Sequence, residues 1–531
     1  MVWERYLSDR EIRQKENRDL KQRILMSAAS VVLIAASWQS TAKRGDRAIT
    51  SDGLLQTIRV LASDEYEGRA PGTPGEEKTV AYLIDQCKKL GLKPGNPDGT
   101  YVQNVALWGV RSSGEMTVEG ETLRRGEDYL AWSIKPEPEV AITGSELVFA
   151  GYGITAPDRK WDDYAGVDVR GKTVVLLAGD PFGGALTIHG RSYTKAETAF
   201  AQGAVALLTV NIPRAGRPAG LGAMAQNVTR ENMILRDAGS VQRVAAQGAL
   251  TLDKARELIP GFDGLRESAG KAGFRAVASG RKASFRLKNE LRRIDSKNVV
   301  GKIQGASSSE MVIYSGHWDH LGRDGDKIYH GASDNAAGTA GVLELAKAFL
   351  KVRPKRTVLF MWPTAEEKGL LGAKWYVQYP LYPLKDTVAN INLDYFSNWG
   401  WGRTRDFSVL GLGGTTLEDY AVEVLKRQGR VLTGDTAPAE GFYFRSDHFE
   451  FAKGGVPAME MSPGIEYLGR PAGWGAEKRE EYIRQDYHKV SDEVKADWDL
   501  SGAVEDLQVL FEVGYRVSME KERPGWKVRP F

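Results

Sequence analysis

From Asn298 onward the chain alternates short apolar runs with longer stretches of helical periodicity, and this alternation narrows the fold more than any other feature. Met311–Ser315, Arg356–Trp362 and Val388–Leu393 read as strands, with helices predicted over Gly341–Lys351 and Gly369–Gln378. Strands separated by helices of that length join as βαβ units. The expected fold class is therefore α/β: a central, mostly parallel, mixed sheet flanked by helices. Such sheets carry their sites just beyond the carboxyl ends of the strands. That rule directs attention to Gly316-His317-Trp318-Asp319-His320 after the first run, to Thr364-Ala365-Glu366-Glu367 after the second, and to Asp394 after the third. Between the first two, Gly331-Ala-Ser-Asp334-Asn335 opens a helix.

These side chains suit one chemistry. Zinc takes imidazole nitrogen and carboxylate oxygen, and catalytic zinc sites leave a position open for water. Two metals roughly 3.5–4 Å apart need a bridging carboxylate, further ligands on each ion, and a free carboxylate as general base. The inventory is complete if a second histidine comes from farther along, and His488 in Tyr487-His488-Lys-Val-Ser-Asp492 is the candidate.

His317-Trp-Asp319-His, Gly331-Ala-Ser-Asp334-Asn335-Ala-Ala-Gly338, Glu366-Glu367-Lys-Gly-Leu-Leu-Gly-Ala, Asn392-Leu-Asp394 and Tyr487-His488 together resemble the co-catalytic dinuclear zinc aminopeptidase family, which includes secreted bacterial leucyl aminopeptidases and, more distantly, glutamate carboxypeptidase and the transferrin receptor ectodomain. The resemblance runs from about Leu54 to Val517. It implies an exopeptidase, most directly an aminopeptidase cutting the N-terminal bond of short peptides through a zinc-bridging hydroxide. It implies two Zn2+ per chain, with Co2+ or Mn2+ as substitutes. On the same footing Asp334 would bridge the ions, His317 and Asp394 would complete one, and Glu367 and His488 the other. Glu366 would be the general base, Asp319 would orient His317, and Tyr443 would bond the developing oxyanion. The Asp334–Asn335 peptide is often cis in that family. His320 and His330 are expected to be hydrogen-bonded neighbours, and Ser446, Asp447 and His448 to shape the pocket floor. Trp399, Trp401 and Trp474 read either as a specificity pocket or as packing. A carboxypeptidase or dipeptidase of the same family stays open, because a free carboxylate wants an arginine such as Arg445. So does a catalytically inactive binding ectodomain, and, as a minor reading, glutaminyl cyclisation.

The rest of the chain frames this core. Residues 115–286 break into short strand-like runs between glycines, including Glu146–Ala150, Lys172–Leu177 and Ala204–Val210, with a helix predicted over Lys195–Gln202. By the resemblance this is an inserted β-rich protease-associated domain, dividing a catalytic domain of residues 50–114 and 287–525. No residue in it is singled out for catalysis, and His189 reads as a satisfied histidine. Residues 1–42 pair a charged lead with an apolar run from Ile24 to Trp38, which reads as a signal peptide or N-terminal anchor. The expectation is export to the periplasm or exterior, with no stable membrane insertion unless that segment is retained. Lys and Arg number 72 against 69 Asp and Glu, so nothing points to nucleic acid, and peptides are the expected partners. The one cysteine, Cys87, sits on an apolar helical stripe and reads as a small buried side chain.

Overall fold

The structure is a computed structural model that describes residues 42–213, 221–222, 224–225, 230–236, 243–306, 309–394 and 400–529. The expected signal peptide or anchor, apart from Ala42, lies outside the described residues, as does Trp399.

The chain opens with helix α1 (Ser51–Leu61), capped by the Thr50 hydroxyl accepting from the Gly53 amide, and helix α2 (Pro74–Leu90). Gly91 ends α2 in the left-handed conformation, its amide returning to the Cys87 and Lys88 carbonyls. Cys87 is fully buried, and burial pushes its thiol up to about 12.

Strand β1 (Val102–Val118) then leaves for the insert, and β2 (Val277–Ile303) returns from it. The catalytic sheet continues with β3 (Met311–Ser315), β4 (Thr357–Trp362), β5 (Thr387–Asn392), β6 (Asp406–Leu410), β7 (Val431–Gly434) and β8 (Ala458–Pro463). Its order is β7-β6-β8-β5-β3-β4-β2. β4, β3, β5 and β8 run parallel, while β2 and β6 join antiparallel, giving the mixed sheet expected.

Why β3 and β4 are mostly apolar is visible in where their side chains go. Val312, Tyr314, Val358, Phe360 and Trp362 enter one core, beneath α1, α2, α3 (Gly338–Phe349) and α4 (Ser501–Met519). Met311, Ile313, Leu359 and Met361 enter another core on the opposite face. A period of two with both faces covered favours apolar residues at every position, and the exceptions, Ser315 and Thr357, are hydrogen-bonded.

The insert is less separate than a linked domain. β1 pairs with β2 from Val102 opposite Val299 to Val118 opposite Ala283, so residues 115 and 286 face each other within one unbroken ladder. Farther along, β2 pairs with Glu139–Phe149, and the sheet extends through Thr173–Leu177, Ala206–Asn211 and Ala246–Thr251 to Tyr129–Trp132. The insert has its own apolar cores, and Ser192–Ala201 forms its expected helix. His189 lies 3.4 Å from Asp158. Among the described residues no helix is long and apolar enough to cross a membrane.

Candidate metal centre

Because β3, β4 and β5 are parallel, their carboxyl ends share one edge of the sheet, and the residues just past each end meet there. His317 Nε2 lies 3.3 Å from Asp394 Oδ1, 3.6 Å from Asp334 Oδ1 and 3.7 Å from Glu366 Oε2. His488 Nε2 lies 3.1 Å from Asp334 Oδ2 and 3.2 Å from Glu367 Oε2. The two oxygens of Asp334 thus face different histidines.

Backbone hydrogen bonds hold these groups. Asp334 arrives on the turn before α3, and its amide and that of Ser333 donate to the buried Asp492 carboxylate at 3.1 and 3.0 Å. The Asp334–Asn335 peptide is cis. Asn335 donates to the Leu393 carbonyl and accepts from the Gly338 amide. A Cβ at Gly338 would lie 2.3 Å from the Leu393 carbonyl oxygen, so only glycine lets the turn approach the strand end this closely. The Asp319 carboxylate accepts from the Glu366 and Glu367 amides at 3.0 and 3.4 Å. The Asp319 carbonyl accepts from His317 Nδ1 at 3.1 Å, which leaves the Nε2 lone pair directed at the carboxylates.

Sequence reasoning passed over Arg69. Its fully buried guanidinium donates to the carbonyls of Leu61, Trp318, His330 and Gly331, tying the N-terminal segment to both ligand loops. Its only signal was a position in a Gly- and Pro-rich loop.

The electrostatics are those of a site built around cations. Burial acts to lower the His488 pKa, but Glu367 and Asp334 outweigh it and carry it up to about 10. Burial opposes His317 too, yet Asp394 and Glu366 hold it well above the usual histidine range. Glu366 is pushed well above the carboxylate range by burial, while His488 and His320 hold Glu367 well below it against burial. The donor geometry fits a metal as well. Ligand atoms about 2.0–2.2 Å from a tetrahedral ion lie about 3.4 Å apart, and the nitrogen–oxygen separations above scatter around that value. Two groups, His317 with Glu366 and Asp394, and His320 with Asp334 and Glu367, each bring ligand atoms within 4.8 Å of one another. His320 Nδ1 sits 2.6 Å from Glu367 Oε1, so two imidazoles, His320 and His488, flank that glutamate.

These carboxylates and His488 floor a cavity of about 370 Å³. One wall comes from the insert, whose Arg191, Tyr193, Arg230 and Glu231 line it. Tyr487 lines it too, stacked on His488 at 3.9 Å and accepting from Arg445 Nη2 at 3.0 Å.

Tyr443 departs from expectation. The turn Phe442–Phe444 packs its ring against Phe444, His448 and Phe449, its hydroxyl is buried with no hydrogen-bond partner among the described residues, and it is absent from the cavity lining. Aromatic packing, not the cavity, takes this side chain. Ser446 lines the floor, whereas His448 lies beneath it, 2.5 Å from Glu460. His330 bonds Asp64 at 2.7 Å. Trp401 and Trp474 pack on Tyr467, outside the cavity lining.

Residues 298–511, which carry every one of these floor residues, match the model of peptidase family M28. The chain carries a peptidase family M28 domain. It is a metallopeptidase. The M28 domain and the segments around it are 24% identical over 434 residues to a probable leucine aminopeptidase 2 of Aspergillus fumigatus, covering 78% of this chain and 73% of the relative. They are 26% identical to the probable lipoprotein aminopeptidase LpqL of Mycobacterium tuberculosis, covering 82% and 78%. Among solved structures, an aminopeptidase from Aneurinibacillus sp. strain AM-1 shares the fold at a TM-score of 0.54 and 21% identity, over 92% of this chain and 98% of that one. A zinc aminopeptidase from Bacillus subtilis does so at 0.50 and 19%, over 90% and 97%.

Proposed function

We propose that the chain is a two-zinc aminopeptidase acting on short peptides. The observation that carries this reading is Asp334, whose two oxygens face two different histidines, His317 and His488. His317, Asp394 and Asp334 would hold one ion, and Asp334, Glu367 and His488 the other. We take His488 over His320 as the second imidazole because His488 faces the cavity and approaches both Asp334 and Glu367, while His320 is sealed behind Glu367 on its other oxygen. When bound, zinc supplies Lewis acidity, polarising the scissile carbonyl and acidifying water.

Glu366 does the proton work. Its backbone is pinned by Asp319, its carboxylate lies in the cavity floor, and burial raises its proton affinity. It takes a proton from the attacking water and returns it to the leaving amine. Asp319 acts as a positioning residue for His317 and for both glutamate amides. The oxyanion contact expected of Tyr443 we assign instead to Tyr487, which lines the cavity and has Arg445 on its oxygen. We read the insert as a protease-associated domain that walls the cavity and limits substrate size. Export is supported by the apolar run at Ile24–Trp38 and by the similarity to a probable lipoprotein aminopeptidase.

The test is hydrolysis of blocked and unblocked dipeptides and aminoacyl amides, with and without a chelator. Chelator-sensitive release only from substrates with a free N-terminus is the expected result. Release only from free C-termini would make the chain a carboxypeptidase, a reading favoured by the arginines on the cavity rim.

A further inference from the structure

The cavity is acidic at its floor and cationic at its rim. Arg191, Arg230, Lys368 and Arg445 line it, and against them the described wall sets a single acid, Glu231. That acid is already engaged: Arg292 donates to both of its oxygens, at 3.0 and 2.6 Å. The rim cations are held differently. The Arg191 guanidinium lies 4.6 Å from the centre of the Phe449 ring and 5.6 Å from that of Phe444, and Arg230 lies 4.3 Å from that of Tyr329. Among the described residues neither arginine, nor the Lys368 ammonium, has an ion pair or a side-chain hydrogen bond.

An aromatic face fixes a guanidinium in place without neutralising it and leaves its fork of N–H donors free. Acids act on them from a distance, Glu450 on Arg191 and Glu367 on Lys368, but among the described residues none is ion-paired with Arg191, Arg230 or Lys368, and an anion that bonds several of these half-buried cations at once is favoured. A second cavity, of about 900 Å³, adjoins the first and shares Arg230, Glu231, Leu321 and Lys368 with it. Arg230 and Lys368 therefore stand at the neck between the two, where a peptide leading away from the metal floor would pass.

Resting on the aminopeptidase reading above, we propose that this rim selects peptides bearing a carboxylate one or two residues downstream of the cut bond. The carboxylate is either the free C-terminus of a very short peptide or an Asp or Glu side chain. Arg191 and Arg230 come from the insert, so the insert supplies chemical selectivity in addition to a wall. The α-amino end of the substrate then lies toward the acidic floor and its carboxylate toward the basic rim, matching charge at both ends.

Three probes separate the two sources: Leu-Gln with a free C-terminus, Leu-Glu amide, and Leu-Gln amide, which has no carboxylate. With the metal-loaded full chain, the expected result is a kcat/KM at least about tenfold higher for one or both carboxylate peptides than for Leu-Gln amide, from charged hydrogen bonds to the rim. That ratio should shrink with added salt. In Arg191→Gln/Arg230→Gln it should fall toward one, and in Arg191→Lys/Arg230→Lys it should partly recover. A preference shared by both carboxylate peptides, or confined to one, identifies the source.

Equal turnover of all three by the wild-type chain overturns the inference while leaving the aminopeptidase reading intact. If no peptide is turned over, that reading fails instead, and calorimetric titration of the same three probes still decides the inference. Tighter binding of the carboxylate peptides, lost in the glutamine variant, supports it, and equal binding overturns it.

Discussion

Glu366 and Glu367 are adjacent in sequence, yet their surroundings push them apart. Glu367 is flanked by two imidazoles that favour its carboxylate, while burial raises the proton affinity of Glu366. Glu366→Gln is expected to leave the bound metal content, measured by atomic spectroscopy, close to wild type and to lower kcat by about a hundred- to ten-thousand-fold. Full activity in that variant would sink the assigned role. Arg69 acts through the backbone. Arg69→Ala leaves four buried carbonyls without their donor and should cost about 3 kcal/mol or more in urea unfolding. Arg69→Lys should recover only part of it, because one ammonium cannot span the positions a planar guanidinium reaches. An unchanged midpoint in Arg69→Ala would show that the clamp contributes nothing. Four of the candidate ligands, His317, Asp334, Glu367 and Asp394, were legible because each follows an apolar run or opens a helix; His488 was named only to complete the inventory. Arg69 and Asp492 were not, since donating to or accepting from backbone groups leaves no mark on residue spacing.

At the scale of elements, β3 and β4 were readable because both faces of each strand are buried, which makes their sequences almost wholly apolar. β1 and β2 were not. Their register is set by a partner more than a hundred residues away, and their alternation of buried and exposed positions changes along their length. The insert also carries a buried lysine with a pH signature. Lys195 donates to the Leu177 carbonyl at 2.6 Å, under Tyr152 and near Asp163 and Asp180; burial lowers its pKa to about 7 against the attraction of those two acids. Between about pH 7 and the ordinary lysine value near 10.5 the unfolded chain binds more protons at this group than the folded chain, so its contribution to stability rises with pH across that window. Lys195→Met should therefore flatten the change in Tm between pH 7 and pH 9.5 relative to wild type. Identical slopes would show that Lys195 titrates normally. Asp163, raised to about 6 chiefly by burial, contributes in the opposite sense at lower pH, its share being lost as pH rises through 6.

At the scale of the whole molecule, residues 115–286 continue the sheet of the M28 domain, and the cavity takes its floor from that domain and one wall from residues 115–286. Val118 and Ala283 are direct partners, so residues 119–282 are replaceable by a short Asn-Gly hairpin turn. Met233 and Leu235 of the insert pack on Ala365 and Leu371 beside the site, and they would be lost with it. The shortened chain is expected to cleave long peptides faster relative to dipeptides than the full chain does. An unchanged ratio, in a chain that still binds metal, would show that the insert does not restrict access.

What the linear chain determined by itself was local and periodic: the α/β alternation, the strand ends at which chemistry is placed, and a set of metal-ligand types whose order resembles one peptidase family. What only the tertiary structure decided was convergence. It showed which oxygen of Asp334 faces which histidine, that Tyr487 lines the cavity while Tyr443 is packed away, and that a basic wall reaches the site from the insert. Side-chain period reports which face of an element is buried, but it carries no information about which distant element covers that face.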